Sequence, residues 1–445
     1  MAVTHDDLLA AFARAGRQLW LVGGAVRDEL LGRGHGDLDF TTDALPDDIE
    51  AIGAEMGASL RTVGKKFGTI GVYLEPDWYE ITTFRGESYT DGTRWPDVTF
   101  GTSIEEDLAR RDFTVNALAR NARDGRVLDL FGGEADLRAG IVRAVGDPAT
   151  RFREDPLRIL RGMRFASQLD FAIDEATLAG MTETAPLLAS LSQERVTAEL
   201  DKLLGGISPA RGLEALKETG SLEAVLPEFV PMAGCEQNRF HKFDVWGHTV
   251  ATVQAIDPGE APRLRRWTAL LHDIGKPAVR HIKPNGEWGF YKHEAAGAEL
   301  AQDLFDRLKF GRRESLTITM LVRRHMDRPN ADDPRSVRRF MTRCEGHWRD
   351  LLALKRADNV SHTYDDSEYH DRLQLACATA EREDGERLKG ESPLSGDDLV
   401  QMFDREPGPW IKVVKQHLGA LVLDGELEPG NRVAAEGVAR KLMGQ

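Results

Sequence analysis

Apolar positions change their spacing part-way along the chain. Up to about residue 145, short apolar runs alternate with glycine-containing turns: LWLVGGAV at 19–26, GDLDFTTD at 36–43, GTIGVYL at 68–74, YEITTF at 79–84 and RVLDLF at 126–131. Runs of that length, bounded by turn residues, predict strands of a mixed sheet. Between them, PDDIEAIGAEMG at 46–57 and SIEEDLARRDFTVNALARNA at 103–122 carry helical patterns, so the first region reads as α/β or α+β. From Gly146 onward the period is helical. DPLRILRGMRFASQL, QERVTAELDKLLG and ARGLEALKETG place apolar residues at i, i+3 and i+4, with few strand candidates. GDP at 146–148 and GGISP at 205–209 are the boundary signals, and HIKPNGEWGFYKH at 281–293 predicts a loop. The expected fold class is α+β, a small mixed-sheet head followed by an all-helical region, without internal repeats.

Composition narrows the class. The 445 residues are 41% hydrophobic and 29% charged, which excludes a fibrous or wholly disordered chain. Lys and Arg number 58 against 73 Asp and Glu, a net charge of −15, so a polyanionic partner must meet a local basic surface. Cys235, Cys344 and Cys377 are scattered without CxxC spacing and are odd in number, which fits a reducing compartment; the expected location is cytoplasmic. The opening MAVTHDDLLAAFARAG carries two aspartates and helical periodicity, and no 18 apolar residues run together. Neither secretion nor a membrane span is expected.

The candidate chemistry begins in LVGGAVRDELLGRGHGDLDFTTDALP. A strand runs into Gly23 and Gly24, a helix opens with Arg27-Asp28, and a second strand presents Asp37 and Asp39. Strand period 2 puts those two carboxylates on one face, where they repel unless a divalent cation neutralises them. Oxygen ligands beside phosphates suit Mg²⁺. The glycines let backbone N–H groups approach a triphosphate next to a helix N-terminus, and Arg27 adds a fixed positive charge. A plain turn and a solvated strand face account for each part taken alone.

Together these residues resemble the nucleotidyltransferase superfamily, and more closely the bacterial poly(A) polymerase and CCA-adding tRNA nucleotidyltransferase group. Three further blocks continue the resemblance in order: Glu106 to Ala117 (EDLARRDFTVNA), Asp129 to Leu137 (DLFGGEADL) and Glu154 to Phe165 (EDPLRILRGMRF). In the last block Asp155 before Pro156 is a plain helix start. Asp155 and Arg158, three apart, could also offer an acceptor and a planar donor fork to a nucleobase edge. The resemblance implies that this pair acts as a protein template for CTP and ATP. It also implies that Arg111, Arg158, Arg161 and Arg164 contact the nucleotide. A three-residue step drifts by about 60° around a helix, so Asp155, Arg158, Arg161 and Arg164 are not all expected to face one base. Two Mg²⁺ on Asp37 and Asp39 would serve transfer to an RNA 3′ hydroxyl with release of pyrophosphate. Glu80 is a candidate third carboxylate or, equally, a strand-face salt bridge.

A second constellation lies between 240 and 360. His248, the pair His272-Asp273 in ALLHDIGKP, and Asp358 have the order H…HD…D. Imidazoles with carboxylates suit a transition metal or Mg²⁺, although a lone histidine on an apolar helix is commonly core. The doublet followed by GKP resembles the HD-type metal-dependent phosphohydrolases, in which some domains appended to nucleotidyltransferases act as scaffolds. His293 and His325 are extra candidates, as ligands or substrate contacts, or as surface or capping histidines.

These resemblances imply a division into a nucleotidyltransferase head (1–145), a helical neck and RNA-binding body (146–235), an HD-type helical domain (236–365) and a helical tail (366–445). The implied activity is addition of CCA to tRNA 3′ ends from CTP and ATP. VGKKFGTIGVYL and the stretch from Tyr79 to Leu108 resemble the CCA-adding branch, and a basic RRFR-like insertion typical of the polymerase branch is not evident. CC-only, A-only and poly(A) polymerases share the motifs, and an HD phosphohydrolase is the alternative of another class. The arginines at 151–164, in RLRRW at 263–267 and in VRRFMTR at 337–343 are the expected RNA contacts.

Overall fold

The computed structural model describes residues 5–34, 38–75, 77–88, 97–100 and 103–444. They form two compact units, Met1–Pro227 and Glu228–Gln445.

The first unit opens with α1 (His5–Arg14), β1 (Leu19–Val22), α2 (Gly24–Leu30), β2 (Leu38–Thr42), α3 (Pro46–Glu55), β3 (Ser59–Arg61), β4 (Thr69–Leu74) and β5 (Asp77–Thr83). A hairpin of β6 (Arg85–Ser88) and β7 (Asp97–Phe100) follows, then α4 (Ile104–Ala109), β8 (Leu118–Asn121) and β9 (Val127–Asp129). Seven of these strands make one mixed sheet in the order β3-β4-β5-β2-β1-β8-β9. Its β2–β5 pair is parallel, the remaining neighbours antiparallel. Alternation along β1 splits its side chains between two cores. Leu19 packs with Phe12 of α1, Ile49 of α3, and Phe40, Ile70 and Ile81 of the sheet, while Trp20 and Val22 pack with Ile104, Leu108 and Ala119.

One expectation fails here. The helix predicted over 103–122 stops at Ala109, and the chain then makes a 3₁₀ turn at Thr114–Asn116 and strand β8, which lies between β1 and the edge strand β9. The physical cause is local. Asp112 turns inward to accept the Phe113 N–H at 2.8 Å and the Asn116 side-chain amide at 3.2 Å. Beyond it every residue from Phe113 to Ala119 is buried, so the segment is core on all sides and its apolar pattern does not separate helix from strand.

The helical half of the first unit contains α5 (Gly133–Ala139), α6 (Pro148–Glu154), α7 (Leu157–Leu169), α8 (Glu175–Thr184), α9 (Gln193–Leu204), α10 (Pro209–Glu218) and α11 (Ser221–Val225). Its only sheet among the described residues is the two-residue parallel pair β10 (Ile141–Val142) and β11 (Ala172–Ile173). Helix α6 starts as GDP suggests, with the Asp147 carboxylate accepting the Thr150 N–H at 2.8 Å and Pro148 in the first turn.

The second unit is helical: α12 (Val245–Ala255), α13 (Pro262–Leu271), α14 (Lys276–Val279), α15 (His293–Arg307), α16 (Arg312–Arg324), α17 (Pro334–Arg343), α18 (Trp348–Asp358) and α19 (Ser367–Glu383). Helices Gly385–Leu388, Gly396–Phe403, Pro409–Asp424 and Arg432–Leu442 follow, the last three sharing a core of Leu399, Leu418, Val422 and Ala435. The loop expected at 281–293 instead contains a small hairpin, β12 (His281–Ile282) against β13 (Trp288–Gly289). The Lys283 N–H closes it on the Glu287 carbonyl at 2.8 Å. No described helix is long and apolar enough to cross a membrane.

Candidate active site

In the first unit Gly23 stands between β1 and α2 with φ +68, a conformation that favours glycine, and an added Cβ would lie 3.1 Å from Arg111 Nη1. Its N–H donates to the Leu118 carbonyl at 3.2 Å, tying the turn to β8. Four residues on, Arg27 grips both oxygens of Asp28 (2.8 and 2.9 Å) and donates a third bond to the Asn116 amide oxygen at 2.8 Å. Asp39 is exposed on β2 and stands in register with Glu80 of β5, also exposed. Adjacent partners share a face of a sheet, so the third candidate carboxylate lies beside Asp39. Asp37 lies outside the described residues.

These elements border a cavity of about 650 Å³ lined by Gly23, Gly24, Asp39, Asn116, Phe165, Asp155 and, among the described residues, eight arginines: Arg27, Arg85, Arg110, Arg111, Arg158, Arg161, Arg164 and Arg195. Helix α7 supplies the longest face, with Arg158, Arg161, Arg164, Phe165 and Gln168 toward the cavity. Their i, i+3, i+6, i+7, i+10 spacing makes a stripe one helix face wide, opposite the buried Leu160 and Met163. The stripe therefore includes all three arginines predicted on α7. Phe165 is its floor, with the guanidinium carbons of Arg164, Arg27 and Arg161 at 4.2, 5.4 and 5.6 Å from the ring centroid.

Each guanidinium in this wall has an anchor. Arg110 and Arg111 share the two oxygens of fully buried Asp107, at 2.7 and 3.2 Å. Burial alone would raise that carboxyl, but the two arginines hold it below its ordinary value. Asp112, opposed by the same burial, is likewise held low by Arg161, whose Nε lies 2.7 Å from it. Arg164 sits 3.2 Å from Glu199, and burial pulls its own pKa down.

The proposed template pair is arranged differently from the simple sequence picture. Arg158 is buried, donating to Glu154 at 2.8 Å and to the carbonyls of Arg151 and Arg110 at 3.3 and 3.0 Å. Asp155 accepts the Leu157 N–H at 3.1 Å and faces Arg195 of α9, whose Nη2 lies 3.3 and 3.2 Å from its two oxygens. Both side chains line the cavity, but each is held by a different neighbour. Arg195 and Glu154 carried no sequence signal for this role, since Arg195 stands 40 positions away on an ordinary amphipathic helix.

In the second unit the imidazoles of His248 and His272 meet at 3.1 Å between their Nε2 atoms. Asp273 Oδ2 lies 3.2 Å from each, and Asp358 Oδ1 lies 2.9 and 3.7 Å from His248 and His272. His272 Nδ1 is 2.8 Å from the Ala269 carbonyl, which can only accept, so its Nε2 is the free lone pair. His248, His272 and Asp273 thus converge with nitrogen and oxygen donors that fit a divalent metal, with Asp358 beside His248. At the first unit's cavity the donors are carboxylate oxygens, the set preferred by Mg²⁺.

Residues 19–143 match the Poly A polymerase head domain family, 170–232 the "Probable RNA and SrmB- binding site of polymerase A" family, and 246–363 the HD domain family. The CCA-adding enzyme of Geobacillus stearothermophilus is 37% identical over 421 residues, spanning 93% of this chain and 90% of the relative. The chain belongs to the CCA-adding enzyme family. A solved Bacillus stearothermophilus CCA-adding enzyme in complex with CTP superposes with a TM-score of 0.75 at 30% identity, covering 98% of this chain and 97% of that one. The Thermotoga maritima CCA-adding enzyme complexed with tRNA shares the fold, with a TM-score of 0.61 at 20% identity over 98% and 94% of the two chains. The α+β class and the HD-type domain expected from the sequence agree with this family.

Two groups of expected RNA contacts in this CCA-adding enzyme family member also have structural duties. Arg266 is buried and bonds the Val253 carbonyl, and Arg265 pairs with Asp350 at 2.7 Å. Arg338 is buried against the Leu423 and Asp424 carbonyls and Asp384, and Arg339 holds Asp424 at 2.6 Å. These arginines brace helices within the second unit.

Proposed function

We propose that this protein adds CCA to tRNA 3′ ends from CTP and ATP, without a nucleic-acid template, by Mg²⁺-dependent nucleotidyl transfer in the cytoplasm. The observation that carries the reading is Asp39 on the rim of an arginine-walled cavity that also contains Asp155 and Arg158. Its volume of about 650 Å³ suits one small ligand, since such clefts run from roughly 300 to 1,000 Å³. Family membership over 93% of the chain supports the same substrates.

Asp37 and Asp39 would hold Mg²⁺. When bound, the metal supplies charge neutralisation for the triphosphate and favours the ionised 3′ hydroxyl. In the transfer a bond forms between the RNA 3′ oxygen and the α-phosphorus, the bridge to the β-phosphate breaks, and pyrophosphate leaves. The chain contributes position and charge. Arg27, Arg111, Arg161 and Arg164 face the triphosphate from a rigid wall, Gly23 and Gly24 let it approach the backbone, and Asp155 with Arg158 reads the base edge. Arg195 and Glu154 hold that pair in place. The head over 1–145 would carry the chemistry, the neck and body over 146–235 the base choice, the HD-type domain over 236–365 a metal centre, and the tail over 366–445 no assigned step.

The test is incorporation of labelled CTP and ATP, separately and together, into tRNA transcripts ending before CCA, after CC and after CCA. Growth by three residues followed by arrest is the expected result. Two C residues alone, A only on a CC end, or long A tails would replace it with CC-only, A-only or poly(A) addition. No incorporation would overturn the transferase reading altogether.

A further inference from the structure

The outer face of the head sheet continues past Asp39, away from the arginine-walled cavity. Cross-strand partners extend the Asp39 row through Glu80 of β5 and Gly71 of β4 to Arg61 of β3. The next row on the same face joins Trp78, Tyr73 and Ser59. Tyr79 and Ile81, which alternate with Trp78 and Glu80, point into the core. Of these face residues only Asp39 lines the cavity, among the described residues.

Trp78 is 38% exposed, although its strand lies inside the seven-stranded sheet. Its indole crosses β4 where that strand has no side chain: a Cβ on Gly71 would lie 3.4 Å from the Trp78 ring and 3.2 Å from Arg61 Cβ. There the ring meets the Arg61 guanidinium, 4.4 Å from its centroid, and the Tyr73 ring, at 5.3 Å. Arg61 is exposed and pairs with no carboxylate among the described residues. By contrast Arg27, Arg111, Arg161 and Arg164 of the cavity wall each rest on an acid. Covering Gly71 stabilises the sheet, but that duty calls for neither an exposed ring nor an unpaired cation.

In an in-line displacement the attacking oxygen and the departing pyrophosphate lie on opposite sides of the α-phosphorus. Gly23, Gly24 and the arginines gather the triphosphate on the β1 side of Asp39, which leaves the β5 side to the RNA 3′ oxygen. Trp78 stands one strand across and two residues along from Asp39, about 5 Å and about 7 Å in sheet geometry. A nucleotide with its 3′ oxygen at Asp39 can lay its base on that ring. We propose that Trp78, with Arg61, forms a stacking platform for the last unpaired base of the RNA acceptor and so positions its 3′ hydroxyl at the Asp39 row. The inference rests on the nucleotidyl-transfer reading. Every base has a π face, so stacking tolerates a terminus whose identity changes with each nucleotide added, and Arg61 supplies charge to the phosphate beside it.

The experiment measures incorporation of labelled CTP into a tRNA transcript ending before CCA, and into a second transcript whose terminal nucleotide lacks its base. The native chain should use the second about 10-fold less well in kcat/KM for RNA. Trp78→Ala should lose about 10-fold on the intact transcript, with the KM for CTP unmoved, and lose nothing further when the base is missing. Trp78→Leu keeps Gly71 covered without a π face and should show the same loss, whereas Trp78→Phe should recover most of it. Equal use of both transcripts by the native chain, losses that add in full, or native behaviour in Trp78→Leu would overturn the platform while nucleotidyl transfer stands. No incorporation by the native chain into the intact transcript would overturn the transfer reading, and the platform with it.

Discussion

Asp39 and Arg158 make opposite demands on a mutational test. Asp39 is exposed on a strand edge of the cavity, so Asp39→Ala should abolish transfer of both CTP and ATP, by at least about 10²-fold, at unchanged thermal stability. Arg158 is buried with three protein partners, so Arg158→Ala removes structure as well as the proposed base contact. The informative readout is the ratio of correct to incorrect nucleotide incorporated. That ratio should fall about 10-fold or more, and wild-type fidelity in a folded variant would dismiss the template role. Asp107 and Asp112 yield a pH prediction. Their folded carboxyls lie below the ordinary 3.8. Their ionised forms thus stabilise the fold fully above about pH 4, and that contribution is lost as pH falls through the lowered values. Urea unfolding of the first unit should weaken steeply below about pH 4, and Asp112→Asn should flatten the response.

At the level of elements, the strongest constraint is a close approach in the HD-type unit. A Cβ on Gly275 would lie 2.2 Å from the His293 carbonyl oxygen and 2.4 Å from the Gly297 nitrogen, both backbone atoms. Gly275→Ala must push α15 outward and carry His293 with it. The expected cost is about 1–3 kcal/mol in the second unit's unfolding, together with weaker metal retention. The sequence made much of this architecture legible. Strands β1, β2, β4, β5 and β9 and helices α3, α7, α9 and α10 fall where local pattern put them, and the candidate metal ligands His248, His272, Asp273 and Asp358 lie close together. Strand β8 was hidden because EEDLARRD runs as a helix directly into a segment buried throughout, Phe113 to Ala119, which has no alternation to mark a strand, and only the inward turn of Asp112 separates the two. Arg195 was hidden for a different reason: its meaning depends on which helix packs across from Asp155, and no local spacing records that.

For the molecule as a whole, the charge is −15, yet eight arginines line one cavity among the described residues. Binding to tRNA should therefore depend on a localised patch. The logarithm of affinity should fall with the logarithm of salt at a slope matching a few phosphate contacts, since each contributes about 0.7 to 0.9. A slope near zero would contradict the patch, and one near ten would point to basic surface elsewhere. Two arginines of α13 and α17 argue against the steeper outcome, because Arg266 and Arg338 are buried and bonded to backbone carbonyls of their own unit.

The anchored arginine wall also changes what it means for a nucleotide to arrive. Arg161 already rests on Asp112, Arg158 on Glu154, and Asp155 on Arg195. On the proposed function, a triphosphate entering that space would compete with resident carboxylates for the same donors, so binding would be an exchange of partners. Such a pocket is quiet when empty, holding its cations without attracting every passing anion. On the same reading it would discriminate by asking each candidate to outbid an acid already in place, and a ligand with the wrong base would leave Asp155 with Arg195.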